Sequence, residues 1–181
     1  MKPCEEYLIG AFQDAFVDEK RNEVQVYQKN LSWLELVNSR MQEAFGVKGK
    51  IFKRDVYLLR KRNKQMVQRL KELKAQSGLF DLNFVAGLFD SEGSVYLSTK
   101  SKIPVIDITQ SSKGLEYLEI AKRILEAHGI SCKLNGPYVH KHAKLLQYHL
   151  RIYGTKKCQK FLDIVPLFYR NKFERHHLSG D

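Results

Sequence analysis

Residues 84 to 93 read Phe84-Val85-Ala86-Gly87-Leu88-Phe89-Asp90-Ser91-Glu92-Gly93, an apolar stretch that ends in two carboxylates and a glycine. Asp81 can cap the start of a helix here, and Gly93 can take the left-handed conformation that ends one, so the stretch predicts a short, complete helix. Acidic side chains at a helix C-terminus face the negative end of the macrodipole, which costs a few tenths to about 1 kcal/mol each. A cation bound by Asp90 and Glu92 would offset this cost, and Mg²⁺ is commonly held by one or two carboxylates with water and phosphate oxygens. The alternative is that both carboxylates are solvated or hydrogen-bonded to nearby backbone.

Residues 85 to 93 resemble, at every position chemically, the nine-residue signature of LAGLIDADG homing endonucleases and related maturases. The resemblance implies that the small residues Ala86, Gly87 and Ser91 let two such helices pack closely. It also implies that Glu92 binds the catalytic metal.

The charge of the chain favours a polyanionic partner. The 181 residues include 31 Lys and Arg against 20 Asp and Glu, which gives a net charge of +11. We expect nucleic acid rather than a membrane, because no run of about 18 apolar residues occurs and the N-terminus has no signal-peptide pattern. The expected protein is soluble and intracellular, either cytoplasmic or organellar. Three scattered cysteines argue against a disulfide framework or a zinc cluster.

An internal repeat divides the chain into two halves, predicted as residues 1–78 and 79–181. Residues 57–60 with Gln68 match residues 148–151 with Gln159 at one offset (148 − 57 = 91 and 159 − 68 = 91). Residues 26–28 match 108–110 at offset 82 (108 − 26), and residues 46–47 match 129–130 at offset 83 (129 − 46). The boundary is placed in Gln76-Ser77-Gly78, where Ser and Gly interrupt the pattern.

In each half the periodicity of apolar residues predicts the order helix, two strands, helix, two strands, helix. The resulting fold class is α+β: two pseudo-symmetric αββαββα halves, each with one antiparallel sheet. The resemblance implies that the strands of both halves together form a DNA-binding saddle. In the first half the predicted helices are 5–16, one capped by a box at 32–35, and 64–75, and the predicted strands are 23–28, 50–53 and 56–60. In the second half, after the signature helix, the predicted strands are 94–99, 105–110, 131–139 and 146–153, and the predicted helices are 115–127 and 156–164.

One face of each sheet should pack on the helices and the other should be free and basic. In residues 147–153, for example, Tyr148, Leu150 and Ile152 alternate with polar residues. Arg and Gln on such a ribbon can read guanine and adenine in a major groove, although a solvated polar face is the commoner fate of such residues. The DNA-binding candidates are Gln25, Lys50, Arg54, Arg60, Tyr96, Lys100, Lys102, Asp107, Lys133, Gln147, His149 and Arg151.

The resemblance also implies roles for residues outside the signature helix. Gln28 and Gln110 end their strands in a Val/Ile-x-Gln pattern like that of the family's active-site glutamine, which positions water near the scissile phosphate. A basic activator late in the second half would be Lys172, with Arg170 fitting almost as well.

The first signature helix departs from the family pattern. If Gly10 is placed on the motif glycine, the catalytic-acid position is Ala15, and if Gly10 and Ala11 form the small pair it is Phe16. Neither residue is acidic. Asp14 or Asp18 could supply the acid only by a local rearrangement, because a carboxylate one or two residues away points elsewhere on a helix.

Two hypotheses follow. The first is a Mg²⁺-dependent, site-specific double-stranded DNA endonuclease of the LAGLIDADG type, perhaps reduced to nicking, with Glu92, Gln28, Gln110 and Lys172 as catalytic residues. The second is a catalytically inactive nucleic-acid-binding protein, either a DNA binder or an intron RNA maturase, which the missing acid favours. Two linked halves can address two half-sites, so we expect a monomer.

Overall fold

The structure is a computed structural model that describes residues 1–99, 101–139 and 145–168. Within these residues, six α-helices and two four-stranded antiparallel sheets form an α+β fold, as predicted. The first half comprises α1 (Pro3–Ala11), β1 (Phe16–Asp18), β2 (Glu23–Gln28), α2 (Leu31–Phe45), β3 (Lys50–Lys53), β4 (Tyr57–Arg62) and α3 (Lys64–Lys74). After a 3-10 turn, Ser77–Leu79, the second comprises α4 (Leu82–Glu92), β5 (Gly93–Leu97), β6 (Pro104–Ser111), α5 (Leu115–Ala127), β7 (Lys133–Tyr138), β8 (Gln147–Tyr153) and α6 (Thr155–Ile164).

The strand registers show the predicted repeat directly. The sheets have the orders β1-β2-β4-β3 and β5-β6-β8-β7, so each strand of one half has a counterpart in the other. In the first sheet Arg60 lies between Gln25 and Lys50, and in the second Arg151 lies between Asp107 and Lys133. The offsets are 82 for β2 and β6 (107 − 25), 91 for β4 and β8 (151 − 60) and 83 for β3 and β7 (133 − 50).

The two halves meet where α1 crosses α4. A Cβ added to Gly87 would lie 2.9 Å from the Ala11 nitrogen and still closer to the Tyr7 oxygen. A Cβ added to Gly10 would lie 2.7 Å from the Leu88 nitrogen. Because these contacts are backbone against backbone, the observed helix separation requires glycine at both positions. The predicted close helix pair is therefore present, and the Gly10–Gly87 contact sets its register.

The α1–α4 pair lies inside one continuous apolar core. Tyr7, Leu8, Phe84, Leu88 and Phe89 are fully buried in it. The inward-facing residues of both sheets join the same cluster, and so do the apolar faces of the surrounding helices. Each sheet therefore has one face on the core and an opposite face, called here its open face.

The start of α4 is capped from α1. Glu6 is buried, and its carboxylate accepts hydrogen bonds from the backbone nitrogens of Asp81 and Phe84, the latter at 3.3 Å. Burial raises the pKa of Glu6, while these amide donors oppose the rise. The expectation that Asp81 caps this helix with its own side chain was wrong: Asp81 is the N-cap residue, but its carboxylate lies 2.7 Å from Nε2 of His128.

Three other local predictions were wrong. Helix α1 ends at Ala11 rather than Phe16, because Phe16 joins the sheet opposite Gln25. Helix α2 is capped by Asn30, which accepts from the Trp33 nitrogen at 3.1 Å, and not by the box predicted at residues 32–35. Gly93 has a φ of −81° rather than a left-handed conformation, because the chain passes directly from α4 into β5. No helix among the described residues is long and apolar enough to cross a membrane.

Candidate nucleic-acid interface and acidic helix ends

The connection from the central helix to the first strand differs in length between the two halves. Gly10 faces Gly87 in the helix pair, an offset of 77, whereas Val17 and Val95 occupy equivalent positions in the sheets, an offset of 78. The first half therefore has one residue fewer between its helix and its strand.

This difference decides which first-half residue corresponds to Glu92. The helix offset of 77 gives Ala15 as the counterpart of Glu92 (92 − 77), and the strand offset of 78 gives Asp14 (92 − 78). Both residues follow Ala11, the last residue of α1, so neither lies on that helix. Ala15 is half-buried against the core, whereas Asp14 is exposed in the turn between α1 and β1. The alternative register, with Phe16 at the acid position, is not the one observed, since Phe16 begins β1 and is exposed. Glu92 itself is the last residue of α4 and is half-buried.

Asp90, which was predicted as a metal ligand, lies inside the helix interface. It is 3% exposed, and its Oδ2 accepts hydrogen bonds from the Tyr7 hydroxyl at 2.9 Å and the Phe168 nitrogen at 3.2 Å. The pKa of Tyr7 is raised, mainly by burial and then by the negative charge of Asp90 and the hydrogen bond between the Tyr7 hydroxyl and Asp90. The Phe168 ring in turn lies under the guanidinium of Arg40, 3.6 Å from its centroid. Asp90 thus ties α1 to the segment that follows α6.

The two predicted water-positioning glutamines lie at the strand ends nearest the signature helices. Gln28 is the last residue of β2. It lies three residues beyond Gln25, which pairs with Phe16 at the start of β1. The Oε1 of Gln28 accepts a hydrogen bond from the Lys29 nitrogen at 2.8 Å. Gln110 lies two residues beyond Ile108, the partner of Gly93, and is 4% exposed. Its Nε2 has no hydrogen-bond partner among the described residues. The predicted basic residues Lys172 and Arg170 lie outside the described residues.

The carboxylate of Glu92 is a hard oxygen donor, which suits a divalent cation that completes its coordination with water and phosphate oxygens. Among the described residues no group of three or more His, Cys, Asp or Glu side chains could hold a metal ion. A cation at this place would therefore have one or two protein carboxylates, with water and phosphate oxygens completing its coordination. Mg²⁺ is commonly bound in this way, whereas Ca²⁺ and structural Zn²⁺ sites use more protein ligands.

The open face of the second sheet carries a network around Asp107. This carboxylate is 4% exposed and accepts hydrogen bonds from Arg151 Nε at 2.9 Å and the Tyr96 hydroxyl at 3.3 Å. His149 Nδ1 lies 3.0 Å from its other oxygen. Burial alone would lower the pKa of Arg151, but the hydrogen bond and charge of Asp107 outweigh it and raise that pKa. The structure thus brings together four predicted DNA-binding residues, with Asp107 beneath the other three.

The open face of the first sheet has a similar network around Glu23, two residues along β2 from Gln25, the counterpart of Asp107. This carboxylate is 1% exposed and accepts from Arg60 Nη2 at 2.7 Å, from Arg62 Nε at 2.5 Å and from Gln25 Nε2. The hydrogen bond from Arg60, then that from Gln25, lowers the pKa of Glu23 to about 2. Each half therefore holds its central arginine, Arg60 or Arg151, with a buried carboxylate.

The remaining candidates surround these networks. Lys50 and Lys133 are exposed beside Arg60 and Arg151, and Gln147 begins β8. Arg54 and Lys102 are exposed in the loops β3–β4 and β5–β6. Lys100 lies outside the described residues.

Sequence reasoning missed several residues of the open faces. Glu23 and Arg62 share the alternation that selected Gln25 and Arg60, so strand periodicity could have found them. Tyr27 and Phe52 are exposed on the same face, and the search for polar residues passed over them.

The comparisons with known proteins agree with this geometry. A LAGLIDADG-like domain matches residues 79–166. The structure of the homing endonuclease I-DmoI in complex with DNA and Ca is 22% identical, covers 96% of this chain and 98% of that chain, and superposes with a TM-score of 0.68. I-WcaI bound to its DNA recognition sequence is 16% identical, covers 96% of this chain and 85% of its own, and has a TM-score of 0.67. No curated protein sequence is significantly similar to the chain.

The fold is that of a single chain with two similar α+β halves, each with its own four-stranded antiparallel sheet. Residues 79–166, in the second half, match a LAGLIDADG-like domain, and the described fold is shared with the homing endonucleases I-DmoI and I-WcaI. The predicted division at residue 78 stays a prediction.

Proposed function

We propose that this chain is a site-specific, double-stranded DNA endonuclease that acts as a monomer with Mg²⁺. The observation that carries the proposal is Glu92, a half-buried carboxylate that ends α4, one of the two helices joined by the glycine-to-glycine contact. Both sheets of the same chain carry arginine and lysine on their open faces. The homing endonuclease I-DmoI, which has this fold, has been determined in complex with DNA in the presence of Mn, Ca or Mg. That relationship supports the proposal for this chain.

Binding would come from the basic open faces. Arg60 and Arg151, oriented by Glu23 and Asp107, would contact base edges in the major groove of one half-site each. Lys50, Lys133 and the loop residues would contact phosphates, and counterion release then makes affinity fall steeply with salt. Because both half-sites are served by one chain, a monomer suffices.

Cleavage would use the acidic helix ends. Glu92 would be one metal ligand, and Asp14, its counterpart by strand register, would be the second. A bound Mg²⁺ would supply activation of water and stabilisation of the leaving oxygen. Gln28 and Gln110 would orient water beside the phosphate, and Lys172 would stabilise the developing charge. We assign Asp90 to holding the helix pair together rather than to binding metal.

The test is strand-specific cleavage of a duplex selected by binding from a random library. Each strand is labelled separately and resolved on denaturing gels with and without Mg²⁺. The variants are Glu92→Gln and Asp14→Asn, and the matched control is Asp163→Asn, an exposed carboxylate on α6. Glu92→Gln should leave affinity nearly unchanged and abolish cutting of at least one strand, and Asp14→Asn should abolish cutting of the other. Equal cleavage by Glu92→Gln and the wild type refutes the role of Glu92 as a metal ligand. A selected duplex that the wild type leaves intact on both strands with Mg²⁺ refutes the endonuclease proposal.

The second candidate function is a binding protein without nuclease activity. The end of α1 favours it, because this helix stops at Ala11 and provides no carboxylate like Glu92 at the end of α4. The helix offset places Ala15 at the corresponding position in the turn that follows. In that case a tightly bound duplex stays intact on both strands with Mg²⁺ present. Stronger, salt-sensitive binding to structured intron RNA than to the selected duplex would identify the maturase form of this function.

A further inference from the structure

The open face of the first sheet carries an apolar row that the proposed function leaves unexplained. Tyr27, Leu58 and Phe52 are direct cross-strand neighbours on β2, β4 and β3. The neighbouring row, Val26, Leu59 and Ile51, belongs to the core, so the alternation of the strands places the first row on the opposite face. Tyr27 and Phe52 are 53% and 40% exposed, whereas Leu58 between them is 2% exposed. We call these three residues the apolar row.

The second half has a polar row at the same positions. The repeat offsets place Thr109, His149 and Asn135 where the first half has Tyr27, Leu58 and Phe52. Thr109 Oγ1 lies 3.1 Å from His149 Nδ1, and Asn135 Oδ1 has no hydrogen-bond partner among the described residues. Two halves with one backbone arrangement therefore present opposite chemistry to their ligand.

The surroundings of the apolar row are basic and polar. The next row on the same face, two residues along each strand, consists of Gln25, Arg60 and Lys50. The Tyr27 hydroxyl donates a hydrogen bond to Gln25 Oε1 at 2.9 Å. An apolar partner surface would not match this basic border, whereas nucleic acid does. In the major groove the apolar group at a base edge is the thymine C5 methyl, and apolar side chains recognise it.

We propose that the apolar row reads thymine methyl groups in one half-site, while the polar row reads hydrogen-bonding base edges in the other. This inference rests on the proposed binding of duplex DNA. It makes Tyr27 and Phe52 specificity-determining residues and predicts an asymmetric target, with thymines at the position facing the apolar row.

The experiment replaces thymine by uracil, which removes the methyl group and leaves base pairing unchanged. Each thymine of the selected site is replaced in turn, and affinity is measured without divalent metal. Replacement should weaken binding at one or two neighbouring positions of a single half-site. The expected loss is about fourfold per methyl group, since one buried carbon contributes about 0.8 kcal/mol.

The variant Phe52→Thr assigns the effect to the apolar row, because threonine keeps the preference for strand structure. In this variant the uracil replacement should cost less than half of the loss seen with the wild type. Leu97→Thr is the matched control, since Leu97 is similarly exposed but lies on β5 on the same side as the core residue Val95. It should keep the full uracil effect.

The other outcomes separate the two proposals. A selected duplex bound with equal affinity after every uracil replacement overturns the thymine inference and leaves the proposed function intact. Failure to select any preferred duplex overturns both. Tight binding of single-stranded RNA that Phe52→Thr abolishes, with duplex affinity unchanged, also overturns the inference and assigns the row to base stacking.

Discussion

The helix contact at Gly87 offers a quantitative test of how the two halves are joined. In Gly87→Ala the new methyl group would lie 2.8 Å from the Tyr7 carbonyl carbon and 2.9 Å from the Ala11 nitrogen. Both are backbone atoms of α1, so no side chain can turn aside and the helices must separate. The steric cost should lie near the upper end of the usual range for overpacking, about 3 kcal/mol. Alanine regains about 1 kcal/mol because glycine is unfavourable inside a helix.

The expected net loss is therefore about 2 kcal/mol of unfolding free energy. For a chain of this size each kcal/mol shifts the midpoint of thermal unfolding by about 2 to 4 °C, so Gly87→Ala should unfold about 4 to 8 °C below the wild type. The assay is thermal unfolding followed by circular dichroism, with urea unfolding as a second measure.

The matched control is Gly78→Ala, where an added Cβ meets nothing within 4 Å. This variant should be neutral or up to about 1 kcal/mol more stable, because alanine restricts the unfolded chain. If Gly87→Ala unfolds at the same temperature as Gly78→Ala, the close α1–α4 contact is not what joins the halves. The separation should also displace Glu92, so cleavage well below the unfolding temperature should fall more in Gly87→Ala than in the control.

Three further predictions concern buried carboxylates. Tyr7→Phe removes one donor to the buried Asp90 and should lower the unfolding free energy by about 1–3 kcal/mol in urea; an unchanged midpoint would contradict the structural role given to Asp90. Asp107→Asn removes the charged acceptor of Arg151. In competition binding the ratio of specific to non-specific DNA affinity should fall about tenfold, while non-specific affinity rises. An unchanged ratio would exclude Asp107 as a positioning residue. The lowered pKa of Glu23 means that its stabilising effect is present above its ordinary value of 4.5 and is lost as the pH falls toward about 2. As the pH falls from 4.5 to about 2, the unfolding free energy of Glu23→Gln should therefore decrease less than that of the wild type. If the two plots of unfolding free energy against pH are parallel, the Arg60–Glu23 ion pair does not stabilise the fold.

The sequence alone determined the repeat, the order of the elements and the face of each strand. These properties are local: helices and strands impose periods of 3.6 and 2 on their apolar residues, and each half carries the same pattern independently. Alternation in residues 147–153 therefore separated Leu150 from Arg151 correctly, and Glu92 could be placed at the end of a helix from its neighbours in the chain.

Only the tertiary structure decided what the acidic and polar residues do. The register of α1 on α4 depends on contact between glycines 77 residues apart, and the same offset gives Ala15 rather than Phe16 as the counterpart of Glu92. Helix α1 also ends at Ala11, before either residue. Asp90 and Glu92 are two residues apart on one helix, yet Asp90 lies buried against Tyr7 while Glu92 ends the helix half-buried. Pairing of distant strands joins Glu23 to Arg60, and the same pairing builds the apolar row. Contacts of this kind depend on the relative placement of whole elements, which no local periodicity encodes.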